Sequence, residues 1–122
     1  MINELSNAVL ETAKKNGFYD QERNIAEMLC LIHSEVSEAL ECDRKGRYST
    51  SDSAMFLLHE KDDDIFKSLF EDQVKDTFED ELADVMIRVM DLAAHKGIDL
   101  EMHIALKMRY NSMRGYKHGK RY

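Results

Sequence analysis

Two pairs of acids, Glu35-Val-Ser-Glu38 and Glu81-Leu-Ala-Asp84, carry the first chemical signal in this sequence. Carboxylates three residues apart on a helix sit on neighbouring turns of one face, about 5 to 6 Å apart at Cβ, and can share a cation. Spacing alone does not single them out, because Glu38/Glu41, Glu60/Asp63 and Asp76/Glu79 have it too. Position on the helical wheel is more informative. At about 100° per residue, Glu35 falls at the edge of the apolar arc of its helix with Glu38 one step further out. Glu81 likewise borders the apolar arc of a later helix, and Asp84 lies beyond it. If the two apolar faces pack together, all four acids look into one seam. Four carboxylates there repel strongly unless compensated, and an all-oxygen donor set suits Mg²⁺, with Mn²⁺ as a substitute. The alternative is a solvated acidic face with Arg88, four residues beyond Asp84 and on the Glu81 side, as its helical partner.

A second signal lies near the C-terminus. Lys107, Asn111 and Arg114 form one helical stripe, and Met102, Leu106, Tyr110 and Met113 form another. A helix packed through the Met/Leu/Tyr stripe aims the first row elsewhere, and charge combined with directed N–H donors is what phosphate oxygens require. The plainer alternative is a surface stripe on a terminal helix.

The elements that must position these residues are helical. Leu5, Val9 and Ala13 give a helix over 2–15, stopped at Asn16-Gly17. Ile25, Met28, Leu29, Ile32, Val36, Ala39 and Leu40 recur at steps of three and four, predicting a long amphipathic helix over about 21–45, ended by Gly46. Residues 47–64 are the least regular: 49–53 read as a loop, and 54–58 as a short buried turn of helix or a contact surface. Asp62, Asp63 and Asp64 suit a helix N-terminus. A second long helix is expected over 72–96 with Gly97 as its stop, and a last one from Leu100 to Arg114, capped by Asp99 and stopped by Gly115. The expected architecture is all-α: one domain over 1–122, four main helices in a bundle, an irregular or short-helical insert at 47–70, and completion by dimerisation.

Composition agrees. The 122 residues include no Pro and five Gly, so the punctuation of a strand-rich fold is missing. No apolar run approaches the roughly 20 residues of a bilayer span, and 1–5 do not read as a targeting signal, so a cytoplasmic location is expected. Cys30 and Cys42 are too few for a disulfide framework and lack zinc spacing, and are read as reduced thiols. The net charge is −7, yet beyond Glu101 there are six basic residues and no acid, leaving −13 on the rest. An acidic body can hold cations while a basic segment holds an anion. A di-iron carboxylate bundle would need Glu-x-x-His, and none of the five histidines has a Glu three residues before it.

Taken in order, Glu35-x-x-Glu38, Glu81-Leu-Ala-Asp84-Val, Gly97-Ile-Asp-Leu and Lys107-Met-Arg-Tyr-Asn111-x-x-Arg114 resemble the MazG family of all-α nucleoside triphosphate pyrophosphohydrolases, from about Gln21 to the end of the chain. The resemblance implies hydrolysis of an NTP or dNTP to monophosphate and pyrophosphate. It implies Mg²⁺ on Glu35, Glu38, Glu81 and Asp84, phosphate contacts from Lys107, Asn111 and Arg114, and a homodimer or dimer of dimers. About forty residues separate Glu38 from Glu81, more than in compact members, so the insert is expected to act as an extra helix, lid or dimer contact. Glu38, the acid further from the core, is the expected base for the attacking water. The reading from another class is a non-catalytic dimeric helical module whose basic C-terminus, with Tyr110, Tyr116 and Tyr122 interleaved, binds nucleic acid or an acidic partner. The acidic body makes nucleic acid the weaker choice.

Overall fold

A computed structural model describes residues 1–122. It is all-α: α1 (Ile2–Lys15), α2 (Ile25–Arg44), α3 (Ser51–His59), α4 (Asp63–Gln73), α5 (Phe78–His95) and α6 (Leu100–Ser112), followed by a 3₁₀ turn at Tyr116–Gly119 and no strand. No helix is long and apolar enough to cross a membrane.

Side-chain caps explain most of the starts. Asn24 accepts from the Glu27 amide, Thr50 from Ser53, Asp62 from Asp64 and Ile65, and Asp99 from Met102, each worth about 1 kcal/mol to its helix. Gly17, Gly46 and Gly97 take positive φ just past the ends of α1, α2 and α5, where a side chain would be strained.

Three boundaries differ from the sequence expectation. The segment 49–53 is not all loop, because Thr50 caps a helix that begins at Ser51. The expected helix from 72 to 96 is interrupted, with α4 running to Gln73 and α5 starting at Phe78. Asp76 adopts a left-handed φ of 61° at that joint, a conformation that Asp tolerates better than most residues. Asp80 Oδ2 accepts from the Asp76 amide at 3.0 Å, and Thr77 Oγ1 accepts from the Asp80 amide at 3.4 Å. These two bonds restart the helix. Finally, α6 ends at Ser112 rather than Arg114, closed by amides of Met113 and Arg114 turning back to Tyr110 and Asn111.

The chain divides into two compact units, residues 23–89 and residues 1–22 with 90–122. In the first, Met28, Ala39, Cys42 and Leu57 are buried, and α3 packs on α4. Here α2 and α5 run antiparallel in a register fixed by contacts at two levels: Glu35 meets Arg88 midway along the helices, and the Cys42 thiol near the end of α2 donates to the Asp76 carbonyl just before α5 at 3.3 Å. The start of α5 is held again by the Phe78 amide on the Arg47 carbonyl (2.9 Å) and by Glu79 Oε2 accepting from the Ser49 amide (2.8 Å).

In the second unit, Ser6, Met90, Asp91 and Ala93 are buried, and α1 packs on α6. The two helices are stitched at one end, where Asn3 donates to Asp99 (2.8 Å) and accepts from the Glu101 amide (3.2 Å), while Glu101 accepts from the Met1 amine and the Ile2 amide. Tyr19 donates to the buried Asp91 at 2.8 Å and lays its ring against His95.

Candidate metal centre

The antiparallel register of α2 and α5 brings acids of the two helices to one level. Glu35, Glu38 and Glu81 each offer a carboxylate oxygen within 4.8 Å of the others. Glu35 and Glu81 are buried, at 7% and 5% exposure, and Glu38 is exposed. The wheel positions explain this order: the acids at the border of each apolar arc are drawn into the helix pair, and the one a step outward faces water. Arg88 Nε donates to Glu35 Oε1 at 2.6 Å, a charge-assisted bond.

Titration divides the three acids. Burial works to raise the Glu35 carboxyl, but the Arg88 guanidinium together with hydrogen bonding to Glu38 and Glu81 outweighs it and holds the group below its ordinary value. Glu38 is raised, first by its closeness to Glu35 and then by burial. Glu81 is pushed up to about 7 by burial and by Glu38, Asp84 and Glu35 around it. This is the pattern of a site short of positive charge. Glu81 Oε2 is also buried with no hydrogen-bond partner, and buried carboxylate oxygens are normally satisfied. A divalent cation would supply what the protein does not. Three oxygen donors at these separations, with an unmatched buried oxygen among them, fit a hard cation.

Asp84, the fourth acid of the sequence pattern, lies outside this trio. It is half-buried, and its carboxyl is raised by burial and then by Asp80, Glu35 and Glu38, so it belongs to the same electrostatic neighbourhood. A second group of ligating atoms, Asp76, Asp80 and Glu81, also falls within 4.8 Å. The sequence pattern did not single out Asp76 and Asp80 as partners of Glu81. The i,i+4 spacing of Asp76 and Asp80 was available, but only the left-handed turn at Asp76 folds it back toward Glu81.

Lys107 is exposed, and Asn111 and Arg114 are half-buried. Asn111 Oδ1 is buried without a partner. The expectation that α6 packs through Met102, Leu106, Tyr110 and Met113 is corrected: all four are exposed, and Ile104 and Asn111 lie on the more buried side. Tyr110 instead gathers the cations, with Lys107 Nζ 5.2 Å and Arg114 Cζ 5.6 Å from its ring centre. Attraction of both charges to one aromatic ring explains why the two stripes do not separate.

No family model, curated protein or solved structure matches the chain.

Proposed function

We propose that the protein is a Mg²⁺-dependent nucleoside triphosphate pyrophosphohydrolase of the MazG type. The observation that carries the reading is the Glu35–Glu38–Glu81 trio, converging from two antiparallel helices around a buried carboxylate oxygen that has no hydrogen-bond partner. Glu35, Glu38 and Glu81 would hold Mg²⁺ or Mn²⁺, with Asp84 as the fourth acid of the set. The bound cation supplies charge neutralisation of the triphosphate and polarisation of the attacked phosphorus. Glu38, exposed and with its carboxyl raised above its ordinary value by Glu35 beside it, takes the proton of the attacking water. Glu35, tied to Arg88, stays ionised and fixes the α2 side of the site. Lys107, Asn111 and Arg114 are the proposed contacts to phosphate oxygens, stabilising charge on the departing pyrophosphate.

The same reading carries a four-helix core with 47–70 as an insert, completed by a second copy of the chain. Exposed Met55, Phe56 and Leu58 on α3 support that part, since clustered apolar surface on a small unit marks an interaction site. The test is pyrophosphate release from a panel of NTPs and dNTPs with Mg²⁺, with EDTA, and with Glu38→Gln. Metal-dependent release of pyrophosphate and monophosphate, lost in the variant, is expected. No release by folded, metal-loaded protein overturns the reading.

A binding module is the second reading, favoured by Lys107 and Arg114 on Tyr110 and by Lys117 on Tyr116. It requires affinity for nucleic acid or for an acidic partner, falling steeply with salt in the first case, and indifferent to Glu81→Gln.

A further inference from the structure

The acids of α5 face a cavity that the reaction scheme above does not use. It has a volume of about 620 Å³ and lies between α4 and α5, lined by Phe66 and Phe70 of α4, by Asp76 at the joint, and by Asp80, Asp84 and Ile87 of α5. The size falls within the range of small-ligand sites. Four features define what would fit. Phe66 and Phe70 are stacked on each other, centroids 5.8 Å apart and planes 22° from parallel, so they present a flat aromatic surface to a third ring. Ile87 adds an apolar contact. Asp76 and Asp80 belong at once to the cavity lining and, with Glu81, to the second acidic group, so the cavity borders acids that share Glu81 with the candidate metal centre. Lys67 and Lys75 also line it, giving N–H donors beside the carboxylates.

We propose that this cavity is the nucleoside subsite: the base of a nucleotide stacks on the Phe66–Phe70 pair while its phosphates reach the cation on the neighbouring acids. The inference rests on the pyrophosphohydrolase reading and gives the 47–70 insert, which contributes both phenylalanines, a direct role. An aromatic pair beside an acid cluster suits one ligand class in particular, a planar heterocycle bearing a metal-chelated polyanion. Stacking is tolerant of base identity, so discrimination among bases falls to Asp76, Asp80, Lys67 and Lys75. The carboxylates accept from exocyclic amino groups and the lysines donate to ring carbonyls.

The experiment compares ligands with and without a base. Binding of α,β-methylene ATP, GTP, CTP and UTP and of inorganic tripolyphosphate is measured by calorimetry with Mn²⁺, for wild type, Phe66→Ala, Phe70→Ala and Phe70→Tyr. Mn²⁺ binding without nucleotide and helical circular dichroism are recorded for each. Both phenylalanines are partly exposed on one short helix, and the tyrosine variant keeps the ring should truncation unsettle α4. Phe70→Ala is expected to weaken the nucleotide analogues by roughly 5- to 100-fold, to leave tripolyphosphate and Mn²⁺ unchanged, and to be rescued by Phe70→Tyr. Equal losses for nucleotide and tripolyphosphate, or undiminished nucleotide affinity in either folded alanine variant, overturn the subsite and leave the pyrophosphohydrolase standing. Wild-type protein that binds Mn²⁺ but no nucleotide overturns both.

Discussion

Glu35 and Glu81, from two helices of one unit, are buried and electrostatically interdependent, whereas Lys107 and Arg114, from one helix of the other, gather around a single exposed tyrosine. Both sets are charged groups at helical spacing, and the difference lies in what each helix has behind it. On α2 the charged positions share the helix with buried Met28 and Ala39, which anchor it in a core, and on α5 Glu81 is itself buried. The orientation of the acids is therefore set by packing and costs energy if left uncompensated. On α6 no residue is fully buried, so its cations are free to follow local attraction. The first arrangement is preorganised and should tolerate little change. The second is adjustable, and single substitutions there should be mild.

The contrast is tested most sharply at the acids. Glu38→Gln and Glu81→Gln should each lower metal-dependent turnover by about 10²-fold or more, and EDTA should do the same to wild type, read as pyrophosphate release. Mn²⁺ titration followed by paramagnetic resonance should show weakened binding in the Glu81 variant. Full activity in either variant would remove the distinction between the two regions.

Arg88→Ala comes next. It leaves the buried Glu35 carboxylate without its guanidinium, and with Arg88 itself about one-third exposed the expected loss is about 1–3 kcal/mol in a denaturant melt. Added Mg²⁺ should return part of it, because the cation offers Glu35 a replacement charge.

A third outcome concerns pH. Glu81 titrates near 7 in the folded chain, above its ordinary 4.5, so the folded state holds a proton that the unfolded state releases. Its contribution to stability is full below about pH 4.5 and disappears as pH rises through about 7. Metal-free protein should therefore melt at progressively lower temperature across that window. Glu81→Gln should flatten the dependence, and Mg²⁺ should raise the melting temperature more at the alkaline end, where the carboxylate needs no deprotonation to bind it.

The smallest effect belongs to α6. Lys107→Ala should lower kcat and kcat/KM about three- to tenfold with Mn²⁺ binding little changed, the mark of a contact that strengthens as charge develops on the departing pyrophosphate. A loss as large as that at Glu81 would mean that α6 is as preorganised as the acid pair.

The same physical difference governs what could be read from the residues. Helices α1, α2 and α6, the starts of α4 and α6 at Asp62 and Asp99, and the ends of α1, α2 and α5 before Gly17, Gly46 and Gly97 follow from local rules and stand near the expected positions. Glu35 and Glu81 at the borders of apolar arcs were legible because a buried face imposes a period. The break at 74–77 was not legible: Asp-Gln-Val-Lys-Asp-Thr contains no Gly or Pro, and the turn depends on side-chain bonds between Asp76, Thr77 and Asp80 that also suit a continuous helix start. The orientation of α6 was hidden for the opposite reason, since a helix without a buried face leaves its stripes without an assigned direction. Arg88 could be named as a helical neighbour of Asp84, yet its actual partner is Glu35, 53 positions away, which only the register of α2 against α5 decides.

That ion pair also sets a selection rule. With Glu35, Glu38 and Glu81 ionised, the one Arg88 guanidinium leaves two negative charges in the seam, and an ionised Asp84 beside them adds a third. A monovalent ion leaves such a seam repelling itself, whereas a divalent ion removes most of its excess charge, so Arg88 sets how much charge an incoming cation must bring before ionic radius or ligand number comes into play.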